Sequence, residues 1–428
     1  MWAALQKIRF AGRTAPACVS RAALGSGGAG SWCSAAAAGR RMASTAAATL
    51  SDEQVEMLSQ EREAMEYDVV IVGGGPAGLA TAIRLRQLCE ESETELSICM
   101  VEKGGEIGAH ILSGNVFEPR AMDELLPGWE TMGAPIGVAA GSDSLLYLTE
   151  SRSLPLPTPP TLQNHGNRIL SLGKLCAWMG EKAEEMGVEI YPGFAASEVI
   201  YSDDGSVKGI ATSDMGIGKD GGPTDLFARG MELHGRQVVF AEGCRGSCSQ
   251  EILEKFNLRE AKGAQPQVYG LGIKEVWEID PALHKEGTIV HTIGWPLQTD
   301  TYGGSFLYHA ENNQVFMGFV VGLDYPNPYL SPYQEFQRWK QHPAIRPLLD
   351  GGTCLSYGAR CINEGGWQAV PKLTFPGGVL VGCSAGFVNV PKIKGSHTAM
   401  KSGMLAAEAM FDALTGARKR EPHRYAVQ

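Results

Sequence analysis

The hydrophobic pattern changes its period along the chain and predicts an alternation of strands and helices. Val69 to Val72 is an unbroken β-branched run, which is typical of a strand buried in a parallel sheet. The segment Ala77 to Leu88 predicts a helix that packs on this strand, and LSICMVEKG predicts a second strand that ends near Glu102. The order strand, helix, strand predicts an α/β fold built on a parallel sheet.

Three later stretches alternate apolar and polar positions between breaks at Gly or Asn: GTIVHTIGWPL, SFLYHA and NQVFMGFVVGL. Alternation of this kind is typical of strands with one buried face. We therefore expect a second, mostly antiparallel sheet, backed by helices and inserted into the chain of the first. The length of 428 residues and the hydrophobic content of 44% suffice for two or three domains.

A glycine motif lies between the first predicted strand and its helix. Gly73 permits a tight turn, Gly75 lets the backbone approach a pyrophosphate, and Gly78 allows the helix to pack closely on the strand. The phosphates would meet free N–H groups at the N-terminus of the helix. Glu102 is placed to accept hydrogen bonds from the ribose hydroxyls of the adenosine half. The spacing predicts a dinucleotide site but leaves FAD and NAD open.

Charge and cysteine spacing exclude several other classes of function. The formal net charge is −10, which argues against a nucleic-acid partner. The ten cysteines contain no C-x-x-C pair, so the spacing predicts no zinc or iron–sulfur ligand set. No stretch approaches the roughly 18–20 consecutive apolar residues of a membrane-spanning helix.

The first residues differ in charge from the rest of the chain, because no acidic residue precedes Asp52. Residues 1–46 combine Arg and Lys with Ala, Ser and Gly, which is typical of a mitochondrial transit peptide; the alternative is a disordered basic tail. A second G-x-G-x-x-G string, GSGGAG at Gly25 to Gly30, lies in this segment without a preceding strand, so we interpret it as flexible sequence. A third repeat of the spacing, at Gly216, Gly218 and Gly221, is interpreted as a loop.

Two further stretches favour FAD. RQVVFAEGCRGSCSQEI places a strand, Val238 to Phe240, before Glu242 and Gly243 and resembles the second FAD-contacting motif of glutathione-reductase-type flavoproteins. A later strand, Val379 to Val381, precedes Gly382. The helix that follows would begin near Gly395 and Thr398, with its N-terminus facing a flavin ring.

The strings VEKGGEIGAHILSG, YGGSFLYH and GCSAGFVNVPKIKGSHTAMKSG, with the glycine motif itself, resemble the electron-transfer flavoprotein:ubiquinone oxidoreductases from about Tyr67 to Leu414. The resemblance implies FAD, ubiquinone as electron acceptor, electron-transfer flavoprotein as donor, and the matrix face of the inner mitochondrial membrane. It also places the quinone beside Gly303 and Gly304, where the lack of Cβ atoms would let the main chain contact a flat ring.

Two elements of this interpretation have structural alternatives. Gly303 and Gly304 could instead form a hairpin turn between two strands. The segment Ile107 to Gly128 occupies the family's membrane-inserted position, and its apolar residues recur at helical spacing, but such a stripe is also typical of a helix that faces a core. The stripe consists of Met122, Leu125, Leu126 and Trp129.

The family continues into a ferredoxin-like domain whose cysteines hold a 4Fe-4S cluster, whereas the likeness of this chain ends near Leu414 and residues 415–428 form a divergent basic tail. A chain without the cluster is expected to bind FAD but to accept electrons poorly from its donor. The expected organisation is an interleaved one, a glutathione-reductase-type FAD-binding Rossmann domain with a mixed or antiparallel ubiquinone-binding domain. The FAD-binding segments are 67–108, 166–253 and 355–414, and the ubiquinone-binding and membrane-contacting segments are 109–165 and 254–354.

Two other functions stay open at this point. One is an NADPH-dependent flavoprotein of the geranylgeranyl-reductase or aromatic-hydroxylase type, which shares the FAD fold. The other is a non-catalytic truncated isoform. The flavin would carry the electrons in either enzyme, so we assign no catalytic acid or base. His165 and Asn363 are polar residues of Gly-containing loops and are not assigned to the site.

Overall fold

The computed structural model describes residues 50–111 and 114–416. The predicted transit peptide, the string at Gly25 to Gly30 and nearly all of the predicted tail lie outside the described residues. The helices are α1 (Asp52–Ser59), α2 (Pro76–Glu91), α3 (Arg120–Leu125), α4 (Leu172–Glu185), α5 (Ser247–Lys255), α6 (Pro332–Lys340), α7 (Arg346–Leu349) and α8 (Ser396–Thr415), and the 3-10 turns are Trp129–Thr131, Pro160–Leu162, Glu260–Lys262, Trp367–Ala369, Gly382–Ser384 and Val390–Lys392.

The strands, in chain order, are β1 (Ala64–Val72), β2 (Ile98–Glu102), β3 (Asn115–Phe117), β4 (Val138–Ala139), β5 (Ser142–Leu148), β6 (Ser153–Leu156), β7 (Arg168–Leu170), β8 (Glu189–Pro192), β9 (Ala196–Tyr201), β10 (Val207–Thr212), β11 (Met215–Ile217), β12 (Pro223–Ala228), β13 (Glu232–Phe240), β14 (Tyr269–Glu278), β15 (Thr288–Gly294), β16 (Gly303–His309), β17 (Gln314–Gly322), β18 (Thr353–Asn363), β19 (Thr374–Phe375) and β20 (Gly378–Leu380).

The described residues divide into two units. The smaller contains 50–61 and 214–229, that is, α1 and the hairpin of β11 and β12. Gly216, Gly218 and Gly221 lie in this hairpin, so the third glycine repeat has no strand–helix setting, as predicted. The larger unit contains the remaining described residues.

The first sheet of the larger unit has the predicted parallel core. Its strand order is β19-β20-β13-β1-β2-β8, in which β20, β13, β1, β2 and β8 run parallel, and β9 and β10 extend it along the first half of β13. Helices α2, α4 and α8 cover one face, and α5 covers the other. Because both faces are covered, Val69 to Val72 are almost completely buried, as the β-branched run predicted.

Strands β13 and β2 lie on opposite sides of β1. The chain therefore leaves β1 in one direction through α2 to β2 and reaches β13 on the other side. In open α/β sheets, ligands bind at the carboxyl edge where the strand order reverses in this way. The carboxyl end of β1, which carries the glycine motif, is this position.

The second sheet confirms the predicted antiparallel strands. Its order is β18-β14-β17-β16-β15-β5-β6, and every neighbouring pair is antiparallel except β15 and β5. The aromatic rings of Phe336 and Trp339 on α6 cover one face, where they pack with Phe319 and Val321. A small third sheet joins β3, β7 and β4.

Two expected boundaries shift in the structure. The segment expected to begin the last part of the FAD-binding domain, at residue 355, lies inside β18, which pairs with β14 as the edge of the second sheet. Likewise β7, expected within the segment 166–253, pairs with β3 and β4. Local hydrophobic patterns do not specify the sheet to which an edge strand adds, because that depends on a partner far away in sequence.

Candidate active site

Gly73 forms the turn at the end of β1. Its φ of 109° is a conformation that side chains disfavour, and a Cβ there would lie 2.5 Å from the carbonyl oxygen of Ala241. Its amide donates to the carbonyl oxygen of Val101 over 2.9 Å. The turn is therefore held between the ends of β2 and β13, as the motif predicted.

Gly75 and Gly78 have different surroundings: Gly78 packs closely, as predicted, and the pyrophosphate contact of Gly75 stays a prediction. A Cβ on Gly78 would lie 2.1 Å from the carbonyl oxygen of Gly73, so only glycine allows this helix to pack so closely on the turn. Around Gly75, which caps α2, a Cβ would find no heavy atom within 4 Å. Open space at the N-terminus of a 16-residue helix is what a pyrophosphate requires.

Glu102 ends β2 with its carboxylate turned toward the glycine turn. One oxygen accepts from the amide of Gly74 over 2.9 Å, and the other accepts from the amide of Gly104 over 2.8 Å. A carboxylate has about four acceptor positions, so both oxygens can still accept bonds from ribose hydroxyls. The backbone fixes the carboxylate at the edge of the predicted adenosine site.

Glu242 follows β13, but its side chain is engaged elsewhere. Its Oε2 accepts from the amide of Ser249 over 2.6 Å, and its Oε1 accepts from the amide of Cys248 over 3.3 Å. The carboxylate thus caps the first turn of α5 and stabilises that helix. Only the main chain of Glu242 lies near the glycine turn: its amide nitrogen would be 3.4 Å from a Cβ placed on Gly73.

The loop after β20 brings a second helix N-terminus to the same edge. Gly382 donates to Ser402 Oγ over 2.8 Å, and a Cβ there would lie 2.8 Å from Cβ of Ala77 in α2. Gly382 therefore lies between α2 and α8. Gly395 caps α8, and Thr398 Oγ1 lies 2.8 Å from the carbonyl oxygen of Phe387 and 3.0 Å from that of Gly395.

The second sheet presents a face that is rich in glycine, which we call the glycine face. Residues opposite each other in antiparallel strands project to the same side, as do residues two apart in one strand. The registers place Gly304 opposite Val320 and Val320 opposite Gly272. They also place Gly270 opposite Gly322 and Phe306 opposite Gly318. The glycines of this face are Gly270, Gly272, Gly304, Gly318 and Gly322, and the side chains of Val320, Phe306, Lys274 and Arg360 project on the same side.

Gly303 and Gly304 are the first two residues of β16, paired with Val321 and Val320. The structure therefore excludes the hairpin-turn alternative, since the connection from β15 ends before them. Gly304 belongs to the glycine face, whereas Gly303 projects to the opposite side, where a Cβ would lie 2.3 Å from the carbonyl oxygen of Val320. Of the two predicted quinone contacts, Gly304 therefore lies on the glycine face, and Gly303 packs against the backbone of β17.

A side-chain carbon would fit on Gly272 without a clash. A Cβ on this residue would have its nearest neighbour, the carbonyl oxygen of Arg360, at 3.7 Å. At one end of the glycine face the ring of Phe306 lies over Gly318, where a Cβ would be 2.3 Å from Cζ. A flat apolar ring could therefore lie over Gly272, Gly304 and the side chain of Val320 between them, with an aromatic side chain at its edge.

Arg360 connects the glycine face with the edge of the first sheet. It lies opposite Gly272 in the β14–β18 register, and its Nη1 donates to the carbonyl oxygen of His110 over 3.1 Å. A Cβ on Gly243 would lie 3.0 Å from its Nη2. Because His110 follows β2 and Gly243 follows β13, the predicted dinucleotide site and the glycine face adjoin each other.

Lys274 anchors the loop after β2 to the second sheet. It stands opposite Gly318 and donates from Nζ to the carbonyl oxygen of Gly114 over 2.8 Å. Burial, with the charge of Arg360, lowers the pKa of Lys274 to about 8. This loop therefore closes the end of the glycine face near Phe306.

The apolar stripe expected to enter the membrane lies in the protein core instead. Met122 and Trp129 are fully buried and Leu125 is 1% exposed, in the cluster that covers the first sheet. Trp129 Nε1 donates to Asp123 Oδ1 over 2.8 Å and its ring packs on Phe117. The prediction of membrane insertion was wrong for this stripe, because helical spacing does not distinguish a core from a bilayer. No helix in the described part of the chain combines the length and hydropathy needed to cross a bilayer.

The residues present fit a dinucleotide that extends from α2 toward the second sheet. The cradle at Gly75 is open, two helix N-termini meet at Gly382, and the buried side chain of Asn363, 3% exposed, has an Oδ1 without a hydrogen-bond partner. A buried polar atom of this kind is costly unless a ligand or water completes it. Among the described residues, no group of three or more His, Cys, Asp or Glu side chains is arranged to hold a metal ion.

Sequence reasoning missed most of the glycine face and its surroundings. The signal for Gly270 and Gly272 is present in YGLGIK, where glycines at alternate positions of a strand indicate a close approach to that face. Gly322 and Arg360 join them only through the registers of β14 with β17 and β18, whereas Asn363 is paired with Tyr269. Asn363, which had not been assigned to the site, is the last residue of β18 and not a loop residue.

A parallel sheet with a dinucleotide turn beside a glycine-lined antiparallel sheet is the architecture of FAD-dependent oxidoreductases. The same fold is found in a geranylgeranyl bacteriochlorophyll reductase-like protein from Thermoplasma acidophilum, with a TM-score of 0.60, 18% identity, and coverage of 82% of this chain and 80% of that one. This likeness concerns the fold alone.

Sequence comparison is more specific. Residues 269–362 match a family described as ETF-QO, ubiquinone-binding, and residues 71–128 match a NAD(P)-binding Rossmann-like domain. The mitochondrial electron transfer flavoprotein-ubiquinone oxidoreductase of Dictyostelium discoideum is 59% identical over 84% of this chain and 59% of its own length. That of Oryza sativa is 58% identical over 83% of this chain and 62% of its own length. The chain is therefore a relative of the electron transfer flavoprotein-ubiquinone oxidoreductases and spans about 60% of the length of these relatives.

Proposed function

We propose that this chain binds FAD along the carboxyl edge of the first sheet and ubiquinone on the glycine face, and that it belongs to an enzyme that passes electrons from reduced electron-transfer flavoprotein to ubiquinone. The family of its relatives supports the donor and the acceptor. The geometry supports the position of each ligand.

One observation carries the proposal. Arg360 contacts the loops that follow β2 and β13 while it lies opposite Gly272, and a Cβ on Gly272 would meet no atom of the described residues closer than 3.7 Å. A flavin ring that extends from the phosphate turn would therefore end beside a surface that accepts a flat apolar molecule. Electron transfer between two ring systems requires this closeness.

The residues of the chain would supply binding and orientation. FAD, when bound, supplies the chemistry of accepting and releasing two electrons. The N-terminus of α2 would hold its pyrophosphate, and Glu102 its ribose. The N-terminus of α8, capped by Gly395 and tied to the loop by Thr398, would place positive dipole charge near the ring. The backbone of Gly272 and Gly304 would support the quinone.

We also propose that the chain works at the matrix side of the inner mitochondrial membrane, since ubiquinone is a membrane lipid. The names of its relatives support mitochondria. The apolar residues of α3 do not supply membrane contact, because they are buried. Flotation with vesicles that contain cardiolipin would test the association, and recovery of all protein in the soluble fraction would contradict it.

The experiment for the quinone site uses the purified chain reconstituted with FAD. The flavin is photoreduced without oxygen and mixed with a short-chain ubiquinone, and its reoxidation is followed by absorbance. We expect rapid reoxidation that saturates with quinone concentration. Gly272→Val should remove it while the flavin stays bound, because a Cβ there meets no atom of the described chain closer than 3.7 Å and the added methyl groups would occupy the proposed quinone surface. Ser356→Val, on exposed β18 of the same sheet, is the control.

The donor and the competing nicotinamide function need separate measurements. Reduced electron-transfer flavoprotein should reduce the bound FAD only slowly in this chain, as expected without the cluster, and NADPH should not bleach it. Bleaching by NADPH with no reoxidation by quinone would contradict the proposed function and favour the reductase or hydroxylase type.

A further inference from the structure

Three polar side chains gather over one end of the glycine face, above the pair Gly270 and Gly322. A Cβ on Gly270 would lie 2.5 Å from Oε1 and 2.8 Å from Oε2 of Glu364. A Cβ on Gly322 would lie 3.0 Å from Oδ1 of Asp324 and 3.4 Å from Cδ1 of Tyr302. Two carboxyl groups and a phenol ring therefore border the floor on which the quinone is proposed to lie.

The carboxyl group of Glu364 lacks a hydrogen-bond partner for one of its two oxygens within the described part of the chain. Its Oε2 is buried and has no hydrogen-bond partner among the described residues. Its backbone is fixed, because its amide donates to the carbonyl oxygen of Val268 over 2.7 Å. A buried carboxyl oxygen without a partner is costly in the ionised form, so the group is stabilised when it carries a proton or meets a ligand.

The surroundings of Glu364 bring the pKa of its carboxyl group close to neutral pH. Burial, and then the negative charge of Asp324, raise its pKa to about 7. The titratable side chains that face it are Asp324, which follows β17, and Tyr302, which precedes β16. Burial and Glu364 raise the pKa of Tyr302 to about 12, so the phenol stays neutral. Asp324 is exposed and links this group to solvent.

We propose that Glu364 is the proton donor to a quinone bound on the glycine face, and that Asp324 passes protons to it from solvent. This assignment rests on the proposed function. Reduction of a quinone to a quinol takes up two electrons and two protons. A reduced flavin in its singly anionic form would supply both electrons and one proton, and Glu364 would then supply the second proton. Glu364 loses its proton to the quinone oxygen and regains one from solvent.

Other titratable groups near the glycine face are less suited to this task. Lys274 lies at the opposite end and donates to the carbonyl oxygen of Gly114. His291 is buried in the β15–β16 pair, where burial, and then Lys394, lower its pKa to about 3, so it carries no proton to give at neutral pH. Glu364 combines a position at the rim with a titration range that matches the working pH.

The test compares two oxidants of the photoreduced flavin. A short-chain ubiquinone needs protons, whereas the ferricenium ion takes up electrons alone. Glu364→Gln should slow reoxidation by the quinone about tenfold or more at pH 7 and leave reoxidation by ferricenium unchanged. In the unchanged protein the quinone rate should fall as the pH rises through about 7, and the variant should lose this dependence. Glu286→Gln, at an exposed position before β15, is the control.

Two further measurements do not depend on the behaviour of that variant. Infrared difference spectra should contain a protonated carboxyl band that titrates near pH 7 and is absent from Glu364→Gln. Asp324→Asn removes the neighbouring negative charge and should therefore move the midpoint of the quinone rate to lower pH. Because Asp324 is exposed, we expect Asp324→Asn to fold like the unchanged protein.

The possible outcomes separate this inference from the proposed function. If the unchanged protein holds FAD but quinone never reoxidises it, the proposed function fails. If quinone reoxidises Glu364→Gln at the original rate with the original pH dependence, only the role of Glu364 fails. Equal slowing with quinone and ferricenium would also overturn that role, because it would indicate a change in the flavin and not in proton supply.

Discussion

Gly78 lies so close to Gly73 that a Cβ on Gly78 would come within 2.1 Å of the Gly73 carbonyl oxygen. Gly75, three residues earlier, has open space around it. The same short motif therefore contains one glycine that the fold requires and one that the fold leaves free, which we propose a ligand requires.

This difference predicts separate effects of two small substitutions. Gly78→Ala should destabilise the fold by about 1–3 kcal/mol, because the methyl group collides with backbone that cannot move away. Gly75→Ala should leave the free energy of unfolding nearly unchanged but weaken FAD binding about tenfold or more, since the methyl group enters the space of the pyrophosphate. Urea unfolding of the FAD-free chain and titration with FAD measure the two effects. Equal stability losses in both variants would contradict the assignment.

Glu102 gives a second prediction, about the adenosine half of the ligand. Each carboxylate oxygen accepts one backbone amide. Glu102→Gln would set an NH2 group against one of these amides and remove an acceptor for ribose. We expect FAD affinity to fall about tenfold, in line with about 1.5–3 kcal/mol for hydrogen bonds to a charged group. Glu106→Gln, exposed in the following loop, should bind FAD normally. Unchanged affinity in Glu102→Gln would disprove the contact.

The buried stripe of α3 leads to a third prediction. Leu125→Ala should cost about 2–5 kcal/mol in the free energy of unfolding, because it leaves a cavity in the core beside Trp129. Its effect on vesicle flotation of the folded fraction should be negligible. Met132→Ala, at a site 42% exposed, should change stability by about 0.5 kcal/mol or less. Lost flotation with unchanged stability in Leu125→Ala would show that the stripe meets the membrane after all.

Glu118 gives a fourth prediction, on pH. Burial opposes its ionisation, but His397, Lys392 and Arg120 outweigh burial and lower its pKa. Its Oε2 lies 3.1 Å from Lys392 Nζ, and its Oε1 lies 2.8 Å from Arg120 Nη2. The pKa of Glu118 in the folded protein lies below its ordinary value of 4.5. Its ion pairs therefore stabilise the fold at pH values above 4.5, and this stabilisation is lost as the pH falls through the folded-state pKa.

The corresponding variant is Glu118→Gln. It should lower the free energy of unfolding by about 1–2 kcal/mol at pH 7. We expect less than for a fully buried ion pair because Lys392 and Arg120 are accessible to solvent, which screens their charges. The difference from the unchanged protein should shrink in acid. Glu181→Gln, exposed on α4, serves as the control. A destabilisation that grows as the pH falls would contradict the role of the ion pairs.

Local sequence predicted the part of the site whose residues are close in the chain. The β-branched run lies buried in the parallel sheet, Gly73 to Gly78 form the predicted turn and helix start, and Glu102 ends the second strand. Their contacts with a ligand stay predictions. The same holds for the strands before Glu242 and Gly382, although the Glu242 side chain caps α5. Capping depends on the backbone of a helix whose exact start the sequence does not reveal.

The glycine face could not be predicted in this way. Gly272 and Gly304 share one surface only because β14, β17 and β16 pair in a specific register, and a shift by one residue would send them to opposite faces. Glu364 reaches the same surface through a further register, that of β18. For the apolar stripe from Met122 to Trp129, the sequence predicted the helical spacing correctly. It did not predict that the stripe packs in the protein core instead of a membrane.

The most direct test of the central claim is a crystal structure of the FAD-loaded chain with a short-chain ubiquinone. We expect the pyrophosphate at the N-terminus of α2, the flavin ring beside Arg360, and the quinone ring on the backbone of Gly272 and Gly304. A quinone bound away from the glycine face, or a flavin ring directed away from the second sheet, would contradict the account.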